Sequence, residues 1–443
     1  MIHTAMQSHA QQETAERIFK AALASADPRH AVQRHHHKIS DVLQEGRYRL
    51  LLVAGFGKAA CAMAAAMEEQ FGDSIDRGVI ITPYGHCPEK HPFQKIRLYE
   101  GGHPIPDEHG QAGTAEIIQL LKGSDEHSCI VCLISGGGSS LLVSPCEGIS
   151  LPEKKQVTTL LLRAGAAINE LNTVRKHLSS VKGGRLAEIA HPGRVVSLIL
   201  SDVVGDKLDV IASGPMAPDD STFGDAMRVI EKYKLSAAMP AAVMEFLTKG
   251  SKGLVPETPK KGDAVFERVD NIIVAGNGIA LAAARSAAES LRYPAAILTS
   301  ELTGEAREAG RWLARRAMSM KGPACLISGG ETTVTVTGTG TGGRNLELAL
   351  AFAMEIQGVP GITLLSAGTD GKDGSADAAG AVVDGGTVAR ARAEGLDPKA
   401  HLANNDSYAF FRQADGLVIT GPTGTNVMDI QVIIVDRGQE ADT

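Results

Sequence analysis

Residues 50–60, LLLVAGFGKAA, decide the fold class of this chain. An apolar run leads into the pattern G-x-G-x-x-A, which is typical of a buried β-strand, a tight glycine turn and the start of a helix. Further apolar runs of strand length, separated by helical patterns, lie at residues 79–82, 130–135, 195–201 and 272–275. This alternation predicts βαβ units, and therefore an α/β fold with mainly parallel sheets.

The length of 443 residues predicts two domains, because one hydrophobic core rarely serves so long a chain. A helix over residues 14–26 opens the first predicted domain, which covers residues 1–255. Residues 248–262 are rich in Lys, Gly and Pro with little periodicity, and we interpret them as a linker. A second, smaller α/β region is then predicted over residues 265–443.

Charge and hydropathy exclude two classes of partner. The chain has 44 basic and 51 acidic residues and no long basic run that would neutralise nucleic acid. It has no run of about 18 apolar residues, and residues 1–16 are polar, so we predict a cytoplasmic protein that does not enter a membrane. The sparse cysteines lie mainly in apolar stretches, which predicts reduced, buried side chains at Cys61, Cys129, Cys132 and Cys325.

The turn after the first predicted strand carries a lysine. Lys58 stands at the start of the following helix, where the helix dipole disfavours a cation unless an anion joins it. We therefore interpret Lys58 as an anion-binding residue, with a chance surface lysine as the alternative. A dinucleotide site needs an acidic residue after the next strand, but residues 79–82 lead into Pro83 and Tyr84. The P-loop pattern G-x-x-x-x-G-K-[ST] is also missing from the sequence.

Residues 135–140, SGGGSS, follow another apolar run. Three consecutive glycines allow successive backbone N–H groups to converge on an anion, and the serine hydroxyls add donors. A flexible turn is the alternative, although a turn needs only one or two glycines.

Residues 338–345, GTGTGGRN, form a second glycine-rich segment before a predicted helix over residues 346–356. Arg344 stands at the start of that helix, and arginine suits bidentate contact with phosphate oxygens. A flexible hairpin loop is the alternative interpretation.

Acidic residues on two glycine-containing loops form a candidate metal site. Asp202 and Asp206 follow the run at residues 195–201, and Asp370 and Asp373 follow another apolar run. Carboxylates on such loops suit Mg²⁺, which typically takes one or two of them together with substrate phosphates. Turn formation explains each single aspartate equally well.

Ordered motifs along nearly the whole chain resemble those of the type-2 glycerate kinase family, whose members join an N-terminal glycerate kinase domain to a C-terminal MOFRL domain. So many matches in the same order make an accidental likeness implausible. The motifs are GFGKAACAM (55–63), GGHPIPDEHG (101–110), LISGGGSSLL (133–142), LNTVRKHLSSVKGGRLA (171–187), SDVVGDKLDVIASGP (201–215), SGGETTVTV (328–336), GGRNLELAL (342–350), GTDGKDG (368–374) and TGPTGTNVMD (420–429).

The resemblance implies a Rossmann-like three-layer N-terminal domain and a smaller C-terminal α/β region with the MOFRL domain at about residues 322–437. The active site is expected in the cleft between them. The implied reaction is Mg²⁺-dependent transfer of the γ-phosphoryl group of ATP to the 2-hydroxyl of D-glycerate, giving 2-phosphoglycerate and ADP. The family's catalytic lysine corresponds to Lys58 and its key arginine to Arg344. Glycerate and ATP are then the partners of a monomer or a homodimer.

Candidate roles are assigned within these motifs. Lys58, Arg344 and Asp202 are catalytic candidates, with Asp202 as a proton acceptor or a metal ligand. The candidates for binding substrate or phosphate are Gly55, Gly57, Ser135, Gly136, Gly137, Gly138, Ser139, Ser140, Arg175 and Lys176. The candidates for binding the nucleotide are Asn277, Glu331, Gly342, Gly343 and Asn345. The candidate Mg²⁺ ligands are Asp206, Asp370 and Asp373.

Two other functions remain open at this point. An NAD(P)H-dependent hydroxypyruvate reductase would act on a related three-carbon acid, but it needs the dinucleotide site that the sequence disfavours. A noncatalytic sensor would bind a sugar acid or a nucleotide without turnover. The number of glycine turns and cations disfavours that second alternative.

Overall fold

The computed structural model describes residues 2–46, 48–87 and 93–436. Its strands, numbered in chain order, alternate with helices over most of this length. They are β1 (Leu50–Phe56), β2 (Arg77–Pro83), β3 (Ile96–Gly101), β4 (Ser128–Ile134), β5 (Arg194–Leu200), β6 (Val269–Ala275), β7 (Ala295–Leu302), β8 (Ala324–Gly330), β9 (Ile362–Gly368), β10 (Gly380–Asp384), β11 (Leu417–Val418) and β12 (Asp429–Val435).

The structure has a helix after the first strand and another over most of residues 346–356, as the sequence predicted. The helices are α1 (Ile2–Ser25), α2 (Pro28–Arg34), α3 (His36–Gly46), α4 (Ala60–Phe71), α5 (Glu108–Lys122), α6 (Gly138–Leu141), α7 (Leu151–Arg163), α8 (Ile168–His177), α9 (Arg185–Ala190), α10 (Phe223–Lys232), α11 (Ala241–Ser251), α12 (Asn277–Ser290), α13 (Ala306–Met318), α14 (Arg344–Glu355), α15 (Thr387–Ala393), α16 (Pro398–Ala403) and α17 (Ser407–Gln413).

The first sheet has the strand order β3-β2-β1-β4-β5-β6, and its strands from β1 to β5 pair in parallel. The predicted runs at residues 50–54, 79–82, 130–135 and 195–201 fall on β1, β2, β4 and β5, which confirms the α/β class. Every residue of β4 is buried, as expected for a parallel sheet with helices on both faces. All carboxyl ends of these parallel strands therefore lie at one edge of the sheet.

The second sheet is mixed, so the prediction of mainly parallel sheets is wrong for this part of the chain. Its order is β11-β10-β9-β12-β8-β7, with only β7 and β8 recorded as a parallel pair. Strand β12 lies between β8 and β9 and runs antiparallel to both. Strand β10 pairs antiparallel with β9, which it follows without an intervening helix, whereas a parallel pair needs a longer crossover.

The chain forms two compact units that do not follow the order of the sequence. The first-sheet unit runs from Pro28 to Val274, and the second-sheet unit combines the residues up to Asp27 with those from Ala275 onward. Helix α1 packs on β9, β12 and α12 of the second-sheet unit, where the Thr363 hydroxyl donates to Gln11 Oε1 at 2.9 Å. The opening helix thus does not belong to the predicted first domain.

The predicted linker at residues 248–262 packs within the first-sheet unit. Thr258 is buried, and Lys260 Nζ donates to the carbonyl oxygen of Asp219 at 2.9 Å. Residues 272–275, predicted to open the second α/β set, instead complete β6 at the edge of the first sheet. The break between the units therefore comes at Val274 and Ala275, where a strand ends and composition gives no signal.

Each sheet has its own apolar core. In the first-sheet unit, buried side chains of β1, β2, β4 and β5 pack against α5 and α9. A satellite core in the same unit joins α7, α8, α10 and α11 around Phe223. In the second-sheet unit, α13 and α14 cover the sheet, with Phe352, Phe410 and Phe411 fully buried.

One expectation for the cysteines is wrong. Cys61, at the start of α4, forms a disulfide with Cys87 in the loop after β2. The apolar surroundings of Cys61 in the sequence gave no sign of this partner. Cys129, Cys132 and Cys325 are free and buried as predicted, and burial raises the pKa of Cys129 and of Cys325 to about 12.

Among the described residues, no helix combines the length and the apolar character that a membrane crossing requires.

Candidate active site

The carboxyl edge of the first sheet collects most of the predicted chemistry. Lys58 follows β1, Asp202 follows β5, and residues 135–140 follow β4. His103, which the sequence analysis did not single out, follows β3 at the same edge. Open α/β sheets bind their ligands at this edge, so the placement fits a binding site.

The two predicted anion-binding turns form one structure. The backbone N–H of Lys58 donates to the carbonyl oxygen of Gly136 at 2.8 Å, and that of Ala59 donates to Ser135 Oγ at 3.0 Å. Gly57 has φ +125°, and a Cβ there would lie 2.2 Å from Ser135 Oγ. Only glycine allows this approach, which places Lys58 directly against the triple-glycine turn.

The hydroxyls of Ser139 and Ser140 in the turn already form hydrogen bonds within the protein. Ser140 Oγ donates to the carbonyl oxygen of Gly137 at 3.0 Å, and Ser139 Oγ lies 2.8 Å from Ser213 Oγ. Gly137 adopts the left-handed conformation at φ +81°, and Gly138 begins the single turn α6. The backbone of this turn and Lys58, rather than the serine hydroxyls, are the groups best placed to meet an anion.

Asp202 lies on the other side of the glycine turn. Its Oδ2 would be 2.1 Å from a Cβ on Gly136, so the missing side chain makes room for the carboxylate. Burial raises the pKa of Asp202, and the positive charge of Lys58 opposes this rise. The charges of Lys58 and Asp202 therefore interact across the turn, a pairing that the sequence analysis did not predict.

Two basic side chains, half-buried Arg175 and buried Lys182, lie behind the turn. Arg175 Nη2 donates to the carbonyl oxygen of Ser139 at 3.4 Å, and Lys182 Nζ donates to that of Leu142 at 3.0 Å. Burial lowers the pKa of Lys182 well below its ordinary value, which favours the neutral amine, whereas the guanidinium of Arg175 stays charged. Within the described part of the chain, Arg175 forms no ion pair with a carboxylate, and an uncompensated guanidinium favours an anionic ligand.

Two further candidates, Lys176 and Asp206, differ in whether their side chains have partners in the structure. Lys176 Nζ forms a buried ion pair with Asp219 at 3.2 Å and a second pair with half-exposed Asp209 at 3.4 Å, which gives it a structural role in place of the predicted substrate contact. Asp206 lies in a turn after β5 with φ +50°, and its buried Oδ1 has no hydrogen-bond partner. A carboxylate oxygen left in this state fits a cation ligand.

Arg344 in the second-sheet unit is held by two carboxylates. Its Nε and Nη2 donate to Asp429 at 2.6 and 2.9 Å, and its Nη1 lies 3.1 Å from Glu331 Oε1. Burial alone would lower the pKa of Arg344, but the hydrogen bond and charge of Asp429 raise it above the ordinary value. Sequence reasoning missed Asp429, although it ends the last of the quoted motifs.

Asp373 and Asn345 shape the start of α14. Asp373 accepts hydrogen bonds from the backbone N–H groups of Asn345 at 3.1 Å and Leu346 at 2.8 Å, and burial raises its pKa to about 6. This helix-capping role replaces the predicted metal role for Asp373 in the structure. Asn345 is buried, and its Oδ1 accepts from Ser366 Oγ at 2.7 Å, so it is positioned to support the helix and not to contact a nucleotide.

The glycine-rich segment 338–343 is fixed by residues that sequence reasoning did not identify. Asn405 Oδ1 accepts from the backbone N–H groups of Thr337 at 2.8 Å and Gly338 at 2.9 Å. Asp406 Oδ1 accepts from that of Thr341 at 3.0 Å. The backbone N–H groups of Thr337, Gly338 and Thr341 are therefore already used within the unit. Gly342 and Gly343, directly before Arg344, are the remaining nucleotide-binding candidates of this segment.

The remaining candidates lie at the edge of the second sheet. Asn277 Nδ2 donates to the carbonyl oxygens of Val427 and Asp429, while its buried Oδ1 has no partner. Asp370 follows β9, and its Oδ1 accepts from the backbone N–H of Lys372 at 3.1 Å in a turn. The described residues contain no group of three or more His, Cys, Asp or Glu side chains arranged to hold a metal ion. A cation here would therefore need oxygen atoms from a substrate.

Comparison with known proteins shows the family of this chain. The DUF4147 model, described as a domain of unknown function, matches residues 14–248, and the MOFRL family matches residues 324–429. The chain is 43% identical over 394 residues to the D-glycerate 2-kinase of Thermotoga maritima, covering 87% of this chain and 91% of that relative. It is 42% identical over 428 residues to an Agrobacterium vitis protein with a provisional hydroxypyruvate reductase name, covering 95% and 93%.

A solved structure agrees with the sequence matches. The crystal structure of a glycerate kinase from Thermotoga maritima matches with a TM-score of 0.87 at 42% identity, covering 96% of this chain and all of that chain. Together these matches define a two-domain α/β kinase. The chain belongs to the glycerate kinase family, as its motifs predicted.

Proposed function

We propose that this chain transfers the γ-phosphoryl group of ATP to the 2-hydroxyl of D-glycerate, giving 2-phosphoglycerate and ADP. The observation that carries the proposal is the joined pair of turns around Lys58 and Gly136, with the unpaired cation Arg175 behind them. Glycerate and ATP are both anions, and a site with excess positive charge suits them. The relative from Thermotoga maritima named D-glycerate 2-kinase supports the choice of acceptor.

Phosphoryl transfer depends mainly on positioning and on stabilising negative charge. In this proposal, Lys58 and the backbone N–H groups of Gly136 and Gly137 bind the transferring phosphoryl group, since the N–H of Gly138 already donates to the carbonyl oxygen of Ser135. Arg175 attracts the glycerate carboxylate toward the same turn. Asp202 holds Lys58 in place through its charge.

The second-sheet unit is proposed to bind the nucleotide. Arg344 binds a phosphate oxygen of the nucleotide by giving up its contact with the half-exposed Glu331, while buried Asp429 keeps its guanidinium oriented. Gly342 and Gly343 allow close approach at the start of α14. Because Asp429 and Glu331 already neutralise Arg344, its contribution depends on that exchange.

Mg²⁺ is part of the proposed reaction, where it would neutralise charge on the donor phosphates. In the first-sheet unit, the unpaired Oδ1 of Asp206 is the candidate ligand. In the second-sheet unit, taken by itself, the candidate ligand is the carboxylate of Asp370. Asp373 is not included, because it caps α14.

The provisional name of the Agrobacterium vitis relative favours a second candidate function, reduction of hydroxypyruvate by NAD(P)H. The first sheet argues against it. Strand β2 ends at Pro83 and continues into Tyr84, so the chain lacks the acidic residue that usually follows this strand and binds a dinucleotide ribose.

The product test separates these reactions. With ATP, Mg²⁺ and D-glycerate, we expect ADP and a phosphate ester whose ³¹P signal is split by one neighbouring proton, as in 2-phosphoglycerate. A signal split by two protons would identify 3-phosphoglycerate and contradict the proposed acceptor oxygen. Oxidation of NADH with hydroxypyruvate, without ADP formation from glycerate, would contradict the kinase proposal.

Gly136→Ala is expected to lower kcat on the order of 100-fold, because the new Cβ would displace Asp202 and with it Lys58. Steady-state kinetics with glycerate and ATP measure the change, and thermal unfolding checks the fold. Gly278→Ala is the matched control, because a Cβ on this exposed glycine of α12 meets no atom within 4 Å. A near-normal kcat for Gly136→Ala would show that the position of Asp202 does not matter.

A further inference from the structure

His103 lies over the glycine turn beside Lys58. A Cβ built on Gly137 would be 2.8 Å from His103 Cδ2 and 2.9 Å from Nε2, and 3.3 Å from Lys58 Cγ. The Nε2 edge of the imidazole and the Lys58 side chain therefore border the same glycine. A side chain at residue 137 would fill the space that these two groups share.

The imidazole of His103 is not used by the fold. Among the described residues, neither of its ring nitrogens has a hydrogen-bond partner, and the half-buried ring leaves these nitrogens accessible to a ligand. His177 in the same unit shows the structural alternative, because its Nδ1 lies 2.8 Å from the Thr173 carbonyl oxygen and its Nε2 lies 3.2 Å from Glu257. The contrast indicates that His103 serves a ligand, since a packing histidine is normally satisfied within the fold.

The surroundings keep His103 neutral. Burial, followed by the charges of Lys58 and His86, lowers the pKa of His103 below its ordinary value. Lys58 faces it from the turn after β1 and His86 from the loop after β2. Its own segment carries two carboxylates that are used in the fold: Asp107 accepts hydrogen bonds from Tyr84 and Gly110, and Glu100 accepts one from the backbone N–H of Gly85. Asp202, after β5, faces the other side of the turn. A neutral imidazole can accept a proton near neutral pH.

We propose that His103 Nε2 accepts the proton of the glycerate hydroxyl that attacks ATP. This inference rests on the proposed function and adds the proton acceptor to it. The O–H bond of the acceptor breaks as the N–H bond on His103 forms. The acceptor oxygen bonds to the γ-phosphorus, and the bond from that phosphorus to the bridging oxygen breaks, leaving its electron pair on ADP.

The pH dependence of kcat/KM tests this role. For the wild type, we expect activity to fall as pH drops through the pKa of His103, because the protonated ring cannot accept a proton. His103→Gln should lower kcat on the order of 100-fold and abolish this acidic limb. His86→Gln should keep most of the activity and move the limb to higher pH, because it removes a charge that lowers the pKa of His103.

Asp202→Asn identifies the rival proton acceptor. If Asp202→Asn removes the acidic limb while His103→Gln retains it, the carboxylate is the acceptor and the proposal is overturned. Unfolding temperatures report whether each variant folds. His103→Ala with added imidazole gives a second readout, and recovery of kcat supports proton transfer, whereas a folded variant with no recovery overturns it.

Different experimental results would overturn the proposed function and the role of His103. A wild-type protein that forms no phosphoglycerate overturns the proposed function and this inference together. A wild type with normal turnover, and a His103→Gln variant with an unchanged pH profile, overturns the role of His103 alone.

Discussion

Lys58→Ala should reduce kcat by about 10³-fold while leaving the chain folded. The side chain supplies positive charge to the phosphate at the centre of the site, and removing one such group typically costs two to three orders of magnitude. The turn itself should survive, because Gly57 and the backbone N–H of Lys58 keep their contacts with Ser135 and Gly136. Initial rates with saturating glycerate and ATP measure the loss.

Two further variants define what Lys58 contributes. Lys252→Ala changes an exposed lysine after α11 in the same unit and should leave kcat unchanged. Lys58→Arg keeps the charge but changes its geometry, and should retain more activity than Lys58→Ala. If Lys58→Ala turned over glycerate at a near-normal rate, the transferring phosphoryl group would have to be bound elsewhere.

Arg344→Ala is expected to lower both stability and kcat, in contrast to Lys58→Ala. Asp429 is 2% exposed and depends on Arg344 for two hydrogen bonds, so the variant leaves a buried carboxylate unpaired. Breaking a buried ion pair in this way typically costs about 3–5 kcal/mol in the free energy of unfolding. Denaturant unfolding and steady-state kinetics measure the two effects separately.

A double variant separates the structural part of Arg344 from the catalytic part. Arg344→Met with Asp429→Asn removes both charges, so most of the lost stability should return. The activity should stay low, because no guanidinium remains to bind phosphate. Recovery of kcat in the double variant would mean that Arg344 acts only by neutralising Asp429.

The sequence predicted local structure well where a single short segment contains the complete pattern of strand, turn and helix. Residues 50–60 indicated β1, its glycine turn and Lys58, and the structure has all of these. The parallel order of β1, β2, β4 and β5 follows from the same alternation. Motif order was enough to recognise the glycerate kinase family.

Partners far apart in the chain could not be predicted in this way. The sequence predicted a phosphate contact for Arg344 and gave no sign of its carboxylate partner Asp429, which lies 85 residues away at the start of β12. Asp373 was predicted to be a metal ligand, but in the structure it accepts a hydrogen bond from the backbone N–H of Asn345 at the start of α14. The spacing of charges in a sequence does not show which of them are already neutralised.

The path of α1 has a consequence for how the protein is made. A ribosome releases the first 27 residues long before α12, β9 and β12 exist, and α1 packs on these three elements. The apolar side of α1 in the nascent chain therefore stays uncovered until the last of these elements has been synthesised. A fragment ending near residue 274 would carry this helix with nothing to cover it, and such exposed surface promotes aggregation.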